Sequence, residues 1–253
     1  MVLDEFGYFV IDTNGNEASR CHYDTLYSMS GECPLFAARK YSNGKFGILE
    51  LGGKVVFPFE FDDVDGFDDL GWWKGRKGRN HLFFDRNGVV IRKFVFDKMS
   101  GFFGNIAVVE NDGKTGIVSR SGKMILPCEF FGAQFCNQDC IAVRTSPDGD
   151  FLFYYFKAKR WGNLGFDYCM SATNSGAVWI ERSGAWSLYD NCEKCLLECF
   201  ATEILAPIYG KYWQYWSSCD DMGYAIVDSK TVRFVKRGVS RAKRFLQQHE
   251  SEN

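Results

Sequence analysis

The sequence predicts an all-β repeat protein on three observations: self-similarity with a period of about 36 residues, tight-turn sequences at matched positions, and flanks rich in β-branched and aromatic residues. We expect about six hairpin-based repeats of roughly 34–38 residues that close into a β-propeller-like ring. A closed ring is favoured because radial repetition leaves few strand edges exposed. An open β-solenoid built from the same hairpins is the alternative.

The repeat is clearest in two copies, Gly47–Lys54 and Gly116–Lys123, which share an apolar run, a turn and a Gly-Lys pair. Further units start near residues 9, 82, 152 and 187, and a partial one starts at 225. An aromatic residue followed by Asp recurs after the turn at Tyr23-Asp24, Phe61-Asp62, Phe96-Asp97 and Phe166-Asp167. We interpret each pair as a core aromatic followed by a turn-capping carboxylate.

Turns and short apolar segments place the strands within each unit. Asp12–Gly15, Asp85–Gly88 and Ser119–Gly122 are sequences of hairpin turns in which Gly supplies a positive φ. A further short apolar strand is predicted near the end of several units, at Phe36–Ala38, Ile106–Val108, Ile141–Val143 and Ala177–Trp179.

We expect a single repeat domain over residues 1–238, followed by a helix and a polar tail over residues 239–253. Helical spacing places Val239, Ala242, Phe245 and Leu246 on one face, so we expect this helix to cap the β body. The partial copy Gly223–Val235 is expected to complete a blade begun at the N-terminus and so to close the ring.

The composition of the chain argues against several classes of protein. The chain has 253 residues, with 24 Phe, 12 Tyr and 7 Trp, and a formal net charge of -2 that gives no global attraction to nucleic acid or anionic lipid. Because neither a signal peptide nor a long apolar stretch is present, we expect a cytoplasmic protein without membrane contact. The ten cysteines are expected to be mostly free, buried thiols, since a large aromatic core needs no disulfides.

The repeat resembles that of the bacterial WG-repeat family. The matching residues are Lys45–Leu49, Gly53–Pro58, Phe61-Asp62 and Phe67, with a second copy over Lys114–Gly116, Gly122-Lys123, Ile125–Pro127 and Phe130. The resemblance covers about residues 6 to 236 and is strongest in the first four copies. It implies a non-enzymatic repeat scaffold, of a kind associated with toxin, immunity or envelope systems, and it carries no catalytic residue.

The sequence shows no catalytic motif and no metal-binding motif. His22, His81 and His249 are the three histidines, and no local pattern pairs any of them with a nucleophile, so we expect no enzyme and no cofactor. Cys192 and Cys195 have the spacing of a zinc knuckle, but no second pair of this kind exists. We interpret Cys195 and Cys199 as core residues of a strand and predict no metal site.

A partner surface is predicted at Trp72-Trp73. Aromatic anchors beside carboxylates suit a basic protein partner, and the carboxylates are those of Asp63, Asp65, Asp68 and Asp69. The alternative is a solvated loop whose charges compensate one another, because Lys74, Arg76, Lys77 and Arg79 follow at once.

A basic face near the C-terminus gives the alternative hypothesis of a nucleic-acid or anionic-ligand binder. Its residues are Arg233, Lys236, Arg237, Arg241, Lys243 and Arg244. We nevertheless expect a non-catalytic protein-interaction domain with one protein partner, and the resemblance implies a bacterial toxin inhibitor, immunity-type or effector-binding protein. A scaffold subunit of a larger complex is the remaining alternative.

Overall fold

The computed structural model describes residues 2–11, 14–17, 22–29, 35–50, 52–137, 139–171, 177–190, 193, 195–201, 203–209, 212–216, 222–227 and 232–235. The regular structure of these residues is entirely β, with 26 strands. No helix capable of crossing a membrane occurs in this part of the chain. The helix expected over 239–253 falls outside it. The all-β class predicted from the sequence is confirmed.

The strands form one two-stranded sheet and then six four-stranded antiparallel sheets in chain order. The small N-terminal sheet contains β1 (Val2–Asp4) and β2 (Gly7–Phe9). The first sheet contains β3 (Thr25–Ser28), β4 (Leu35–Arg39), β5 (Phe46–Glu50) and β6 (Val55–Phe61). The second contains β7 (Asp63–Asp65), β8 (Trp73–Lys77), β9 (Asn80–Phe84) and β10 (Val90–Val95), and the third β11 (Lys98–Met99), β12 (Ile106–Asn111), β13 (Lys114–Ser119) and β14 (Met124–Phe130).

The remaining three sheets repeat this plan. The fourth contains β15 (Gly132–Phe135), β16 (Cys140–Arg144), β17 (Phe151–Tyr155) and β18 (Arg160–Trp161). The fifth contains β19 (Tyr168–Ser171), β20 (Val178–Arg182), β21 (Ala185–Tyr189) and β22 (Cys195–Ala201). The sixth contains β23 (Glu203–Tyr209), β24 (Tyr212–Trp216), β25 (Met222–Val227) and β26 (Val232–Val235).

Each four-stranded sheet is a meander in which every strand pairs with the next one along the chain. Because antiparallel strands reverse direction, the connection between strands one and two lies at the same end as the turn between strands three and four. We call this end of each sheet the loop end. The turn between strands two and three and the link to the next sheet lie at the opposite end.

The sequence repeat is offset from the sheets. The predicted units start at residues 47, 82 and 116, inside the third strands β5, β9 and β13, so one unit spans half of one sheet and half of the next. The hairpin Gly223–Val235 pairs with β24 and completes the sixth sheet. The expectation that it completes the N-terminal blade is therefore wrong.

Two glycines of the repeat are required by close packing between strands. A Cβ atom on Gly47 would lie 2.9 Å from the Phe57 carbonyl oxygen, and one on Gly116 would lie 2.9 Å from that of Leu126. In the first sheet the pairing of β5 with β6 shifts register at this point. The third strand can approach the irregular fourth strand only where no side chain intervenes.

The aromatic-Asp pairs join sheets and cap turns. Phe61 and Phe166 are fully buried. The neighbouring Asp carboxylates accept backbone N–H groups of the turn between strands two and three. These bonds run from Gly78 to Asp62 (2.6 Å), from Asp112 to Asp97 (2.7 Å) and from Ser183 to Asp167 (2.8 Å). The predicted combination of core aromatic and turn-capping carboxylate is confirmed for Phe61-Asp62 and Phe166-Asp167.

The chain divides into two compact units, Met1–Cys128 and Glu129–Asn253. In the first unit, one core cluster lies between the first and second sheets and another between the second and third. In the second unit, a cluster joins the fourth and fifth sheets. Small residues on the second strands, Ala37, Ala38, Ala107 and Ala142, are fully buried and let neighbouring sheets approach closely. The single domain over 1–238 stays a prediction.

Candidate functional site

Two loop-end connections of the first compact unit meet at one arginine. Residues 66–72 connect β7 to β8 in the second sheet, and residues 100–105 connect β11 to β12 in the third. Arg120 follows β13 and contacts both connections. We call Arg120 together with Asp68, Asp69, Trp72 and Phe102 the Arg120 cluster.

Every donor nitrogen of the Arg120 guanidinium has a partner. Nη1 donates to Asp68 Oδ2 (2.6 Å), Nη2 to Asp69 Oδ1 (2.7 Å) and Nε to the Gly104 carbonyl oxygen (2.7 Å). The Arg120 and Asp68 side chains are only 8% and 12% exposed. Charge-assisted bonds of this kind are the strong ones, and burial shields them from water.

Aromatic rings complete the Arg120 cluster. The guanidinium carbon of Arg120 lies 4.9 Å from the ring centroid of Trp72 and 4.6 Å from that of Phe102. The two rings meet edge to face, with centroids 6.1 Å apart. A cation beside aromatic rings is attracted by their electron-rich faces. The cluster therefore fixes both connections in one conformation.

The local sequence explains how Asp68 reaches its place. Its Oδ1 accepts the backbone N–H groups of Leu70 (3.0 Å) and Trp72 (2.9 Å), and its carbonyl accepts that of Gly71 (3.0 Å). Gly71 adopts a φ of +77°, which favours glycine. Asp is suited to this role because its short side chain caps a turn two residues on.

Trp73 is not a surface anchor, and this part of the predicted partner surface is wrong. Its side chain is 0% exposed and stacks on Phe84 with ring centroids 3.9 Å apart. Its indole nitrogen donates to the Asp85 carbonyl oxygen (3.1 Å). Successive side chains along an extended chain point to opposite sides, so Trp72 and Trp73 lie in different environments. Trp72 is half-buried in the Arg120 cluster.

The acidic residues of the predicted surface are largely compensated within the protein. Asp65 pairs with the buried Lys74, which also donates to the Met99 carbonyl oxygen (2.9 Å). Asp63 lies opposite Arg76 in the pairing of β7 with β8. With Asp68 and Asp69 held by Arg120, this arrangement matches the alternative of self-compensating charge.

Two large apolar side chains flank the Arg120 cluster and face solvent. Leu70, next to Asp69, is 60% exposed, and Phe103, next to Gly104, is 42% exposed. We call Leu70, Phe103, Asp69 and Trp72 the loop-end surface. No motif in the sequence singles out Leu70 or Phe103. The turn residues around Leu70 predict a loop, but they do not show which neighbouring connection lies beside it.

Two titratable groups of the first compact unit have shifted pKa values. His81 is 1% exposed, its Nε2 lies 3.2 Å from the Phe96 carbonyl oxygen, and burial together with the Lys74 charge lowers its pKa. Burial, helped by the Asp63 and Asp65 charges, raises the pKa of Tyr27 to about 12. Both groups are therefore neutral near pH 7 and act as hydrogen-bonding parts of the core.

The other predicted sites fall mainly outside the described residues. Arg233 lies in β26, opposite Ile226, but its side chain and residues 236–244 are not among those described. Cys195 is the first residue of β22, directly after the turn, and is exposed. The prediction that it lies in the core is therefore wrong. Within the described residues, no group of three or more His, Cys, Asp or Glu side chains is arranged to hold a metal ion.

A family model described as "WG containing repeat" matches residues 46–72 and 83–114. These two segments of the chain are similar to WG repeats. The first matched segment contributes Asp68, Asp69 and Trp72 to the Arg120 cluster, and the second contributes Phe102. Two consecutive matched segments thus bring their loop-end connections together at Arg120, which follows the second one.

Several solved structures are similar to this chain at low sequence identity. Hsv2 of Kluyveromyces lactis is 9% identical, with a TM-score of 0.48 and coverage of 85% of this chain and 86% of that one. BamB of Moraxella catarrhalis is 11% identical, with a TM-score of 0.46 and coverage of 93% and 79%. Both are β-propellers. A eukaryotic initiation factor is 11% identical, with a TM-score of 0.51 and coverage of 82% and 64%.

No curated protein matches the chain. Each of the six four-stranded antiparallel meanders has the strand order of a propeller blade.

Proposed function

We propose that this chain is a non-catalytic protein-binding domain that engages one protein partner through the loop-end surface. The observation that carries this proposal is the exposure of Leu70 and Phe103 on connections held by the Arg120 cluster. Large apolar side chains on a rigid, polar-rimmed surface are the usual anchors of a protein interface.

Rigidity makes this surface suited to binding. A partner that docks on mobile loops must first order them, which reduces the affinity. Here three hydrogen bonds from Arg120 tie the two connections together before any partner arrives. The binding free energy is then used for contacts rather than for ordering the loops.

Charge at the rim favours a partner with basic residues. Asp69 and Asp65 have side chains that are 55% and 47% exposed, although each is paired with a cation of the protein. Exposed carboxylates around an apolar centre favour cationic side chains on the opposing surface and steer their approach. Trp73 takes no part because it is buried.

The WG repeats support a finer proposal. We infer that the partner is a toxin or effector and that the chain acts as its inhibitor or immunity-type protein in the cytoplasm, without a cofactor. This step rests on the resemblance to the WG-repeat family. The described residues supply no observation that favours nucleic-acid binding, because the basic face lies outside them.

We further propose that the six sheets are blades of one closed ring. The regular four-stranded plan supports this, because a closed ring protects the edges of its sheets. Small-angle X-ray scattering distinguishes the two arrangements. A ring gives a compact particle with a radius of gyration near 18 Å, by the general scaling for 253 residues. A solenoid gives a clearly larger value and an elongated distance distribution.

The binding proposal is tested by purifying the tagged full chain from its producing organism at low and at moderate salt. We expect one stoichiometric protein to be retained at both salt concentrations by the wild type and lost with L70S/F103S. The matched control is V90S/V95S, which removes exposed apolar residues from the edge strand β10 of the second sheet. Equal retention by all three chains, or recovery of nucleic acid alone, contradicts the proposal.

A further inference from the structure

A second cluster of chemically reactive groups lies in the other compact unit. Cys136, Cys140 and Cys169 are each 1% exposed and belong to the core between the fourth and fifth sheets. Cys136 follows β15 and Cys140 begins β16, both in the fourth sheet, whereas Cys169 lies in β19 of the fifth. Neither the repeat pattern nor the proposed function accounts for three thiols at one point of the core.

The geometry brings two of these thiols into direct contact. The Sγ atoms of Cys136 and Cys169 lie 3.1 Å apart. A disulfide bond is about 2.05 Å long, so the sulfurs need to approach by only about 1 Å. The two residues are 33 positions apart in sequence and belong to different sheets.

A neighbouring glutamine fixes the backbones that carry these thiols. The side-chain nitrogen of Gln134 donates to the Cys169 carbonyl oxygen (2.9 Å), and Gln134 belongs to β15, just before Cys136. The Cys169 thiol also points to Gln134 Oε1 (3.7 Å). The fourth and fifth sheets are therefore held in the position that presents one thiol to the other.

We propose that Cys136 and Cys169 are a modification site: they form a reversible disulfide that joins the fourth and fifth sheets, with a low-molecular-weight disulfide as the oxidant. The site is independent of the loop-end surface, which lies in the other compact unit. The crosslink closes a long loop of the chain and so restricts the unfolded state.

The disulfide forms in two thiol–disulfide exchange steps. One cysteine loses its proton, and its sulfur attacks the sulfur–sulfur bond of the oxidant, which gives a mixed disulfide and releases one small thiolate. The second cysteine then loses its proton and attacks the protein sulfur of that mixed disulfide, which forms the protein disulfide and expels the second small thiolate. Two protein thiols are oxidised, and the oxidant is reduced to two thiols, which take up the two protons.

Burial controls the rate of this exchange. Burial, together with contacts to Cys140 and Cys169, raises the pKa of the Cys136 thiol. Because the thiolate is the nucleophile, the folded protein reacts slowly, and exchange proceeds through local opening of the core. The same burial protects the disulfide from reductants once it has formed.

The test uses the full-length chain incubated with oxidised glutathione or with dithiothreitol, then denatured and alkylated. We expect two fewer alkylated cysteines after oxidation. Cleavage after Glu129 and before Asp139 isolates Cys136 from Cys128 and Cys140, so mass spectrometry identifies its partner. The oxidised chain should also unfold at a temperature roughly 5–10 °C higher than the reduced chain.

Variants separate this pair from the remaining thiols. C136S and C169S should abolish both the crosslink and the temperature shift, whereas C140S and the matched control C128S should retain them. The peptide mapping needs only the wild type, so the proposal is testable even where a variant fails to fold. Ten alkylated cysteines after oxidation, or a crosslink that joins other residues, overturns the proposal.

Discussion

The carboxylate of Asp68 and the guanidinium of Arg120 form a largely buried ion pair across 52 residues of sequence, with Oδ2 and Nη1 2.6 Å apart. Asp68 belongs to the second sheet and Arg120 to the third, so the pair fastens one sheet to the next at their loop ends. The same Asp68 shapes its own turn, which links local chain geometry to packing between sheets.

Replacing Arg120 by Ala should strongly destabilise the first compact unit. The change leaves the Asp68 carboxylate buried without its cation, which costs about 3–5 kcal/mol. Chemical denaturation followed by tryptophan fluorescence measures this loss. The matched control is R79A, because the Arg79–Asp97 pair is exposed and should contribute at most about 1 kcal/mol. Equal losses for the two variants would show that the Arg120 cluster does not hold the connections.

Replacing Asp62 by Ala should remove the cap of the turn at Gly78 and cost about 1.5–3 kcal/mol, the range for hydrogen bonds to charged groups. The matched control is D63A, since the neighbouring carboxylate accepts only a local bond from Val64. Bonds from Lys45 and the Gly78 N–H lower the pKa of Asp62. Its stabilisation is therefore present at neutral pH and is lost as the pH falls below 4. The difference in the free energy of unfolding between wild type and D62A should shrink in that pH range. A difference that stays constant with pH contradicts this assignment.

Protonation of His81 should destabilise the fold at mildly acidic pH. Its pKa is lowered by burial and by the Lys74 charge, so the unfolded chain takes up the proton first. Stability is therefore greatest above the ordinary histidine pKa of 6.5 and is lost as the pH falls towards the lowered value. Urea titrations between pH 7.5 and 5 should show a steeper loss for the wild type than for H81Q. Parallel curves would assign the pH dependence to other groups.

The fold class could be predicted because the copies of the repeat carry similar turn residues and core aromatic residues at matched positions. The turn sequence Asp85–Gly88 forms the predicted turn: Asp85 accepts the N–H groups of Asn87 and Val89, and Gly88 has a φ of +79°. The aromatic-Asp pairs also have a local role that recurs in successive sheets. Such features depend on neighbours in the chain or in the same sheet, which a sequence pattern records.

The candidate site could be predicted only in part because it depends on contacts between sheets. The pair Trp72-Trp73 signals an aromatic cluster, but nothing in the dipeptide shows which ring is buried against Phe84 and which lies beside Arg120. The run of acidic residues is visible in the sequence, whereas the cation that holds two of them is about 50 positions away. Leu70 and Phe103 become a surface only once both connections are fixed.

Binding of a protein by the loop-end surface is tested most directly by measuring the affinity of the purified partner for three forms of the full chain. Isothermal titration should give a dissociation constant at least about 30-fold weaker for L70S/F103S than for the wild type, as expected when hot-spot residues are truncated. V90S/V95S should bind as the wild type does. Unchanged affinity in L70S/F103S, with the fold intact by circular dichroism, would contradict the assignment of the loop-end surface as the binding site.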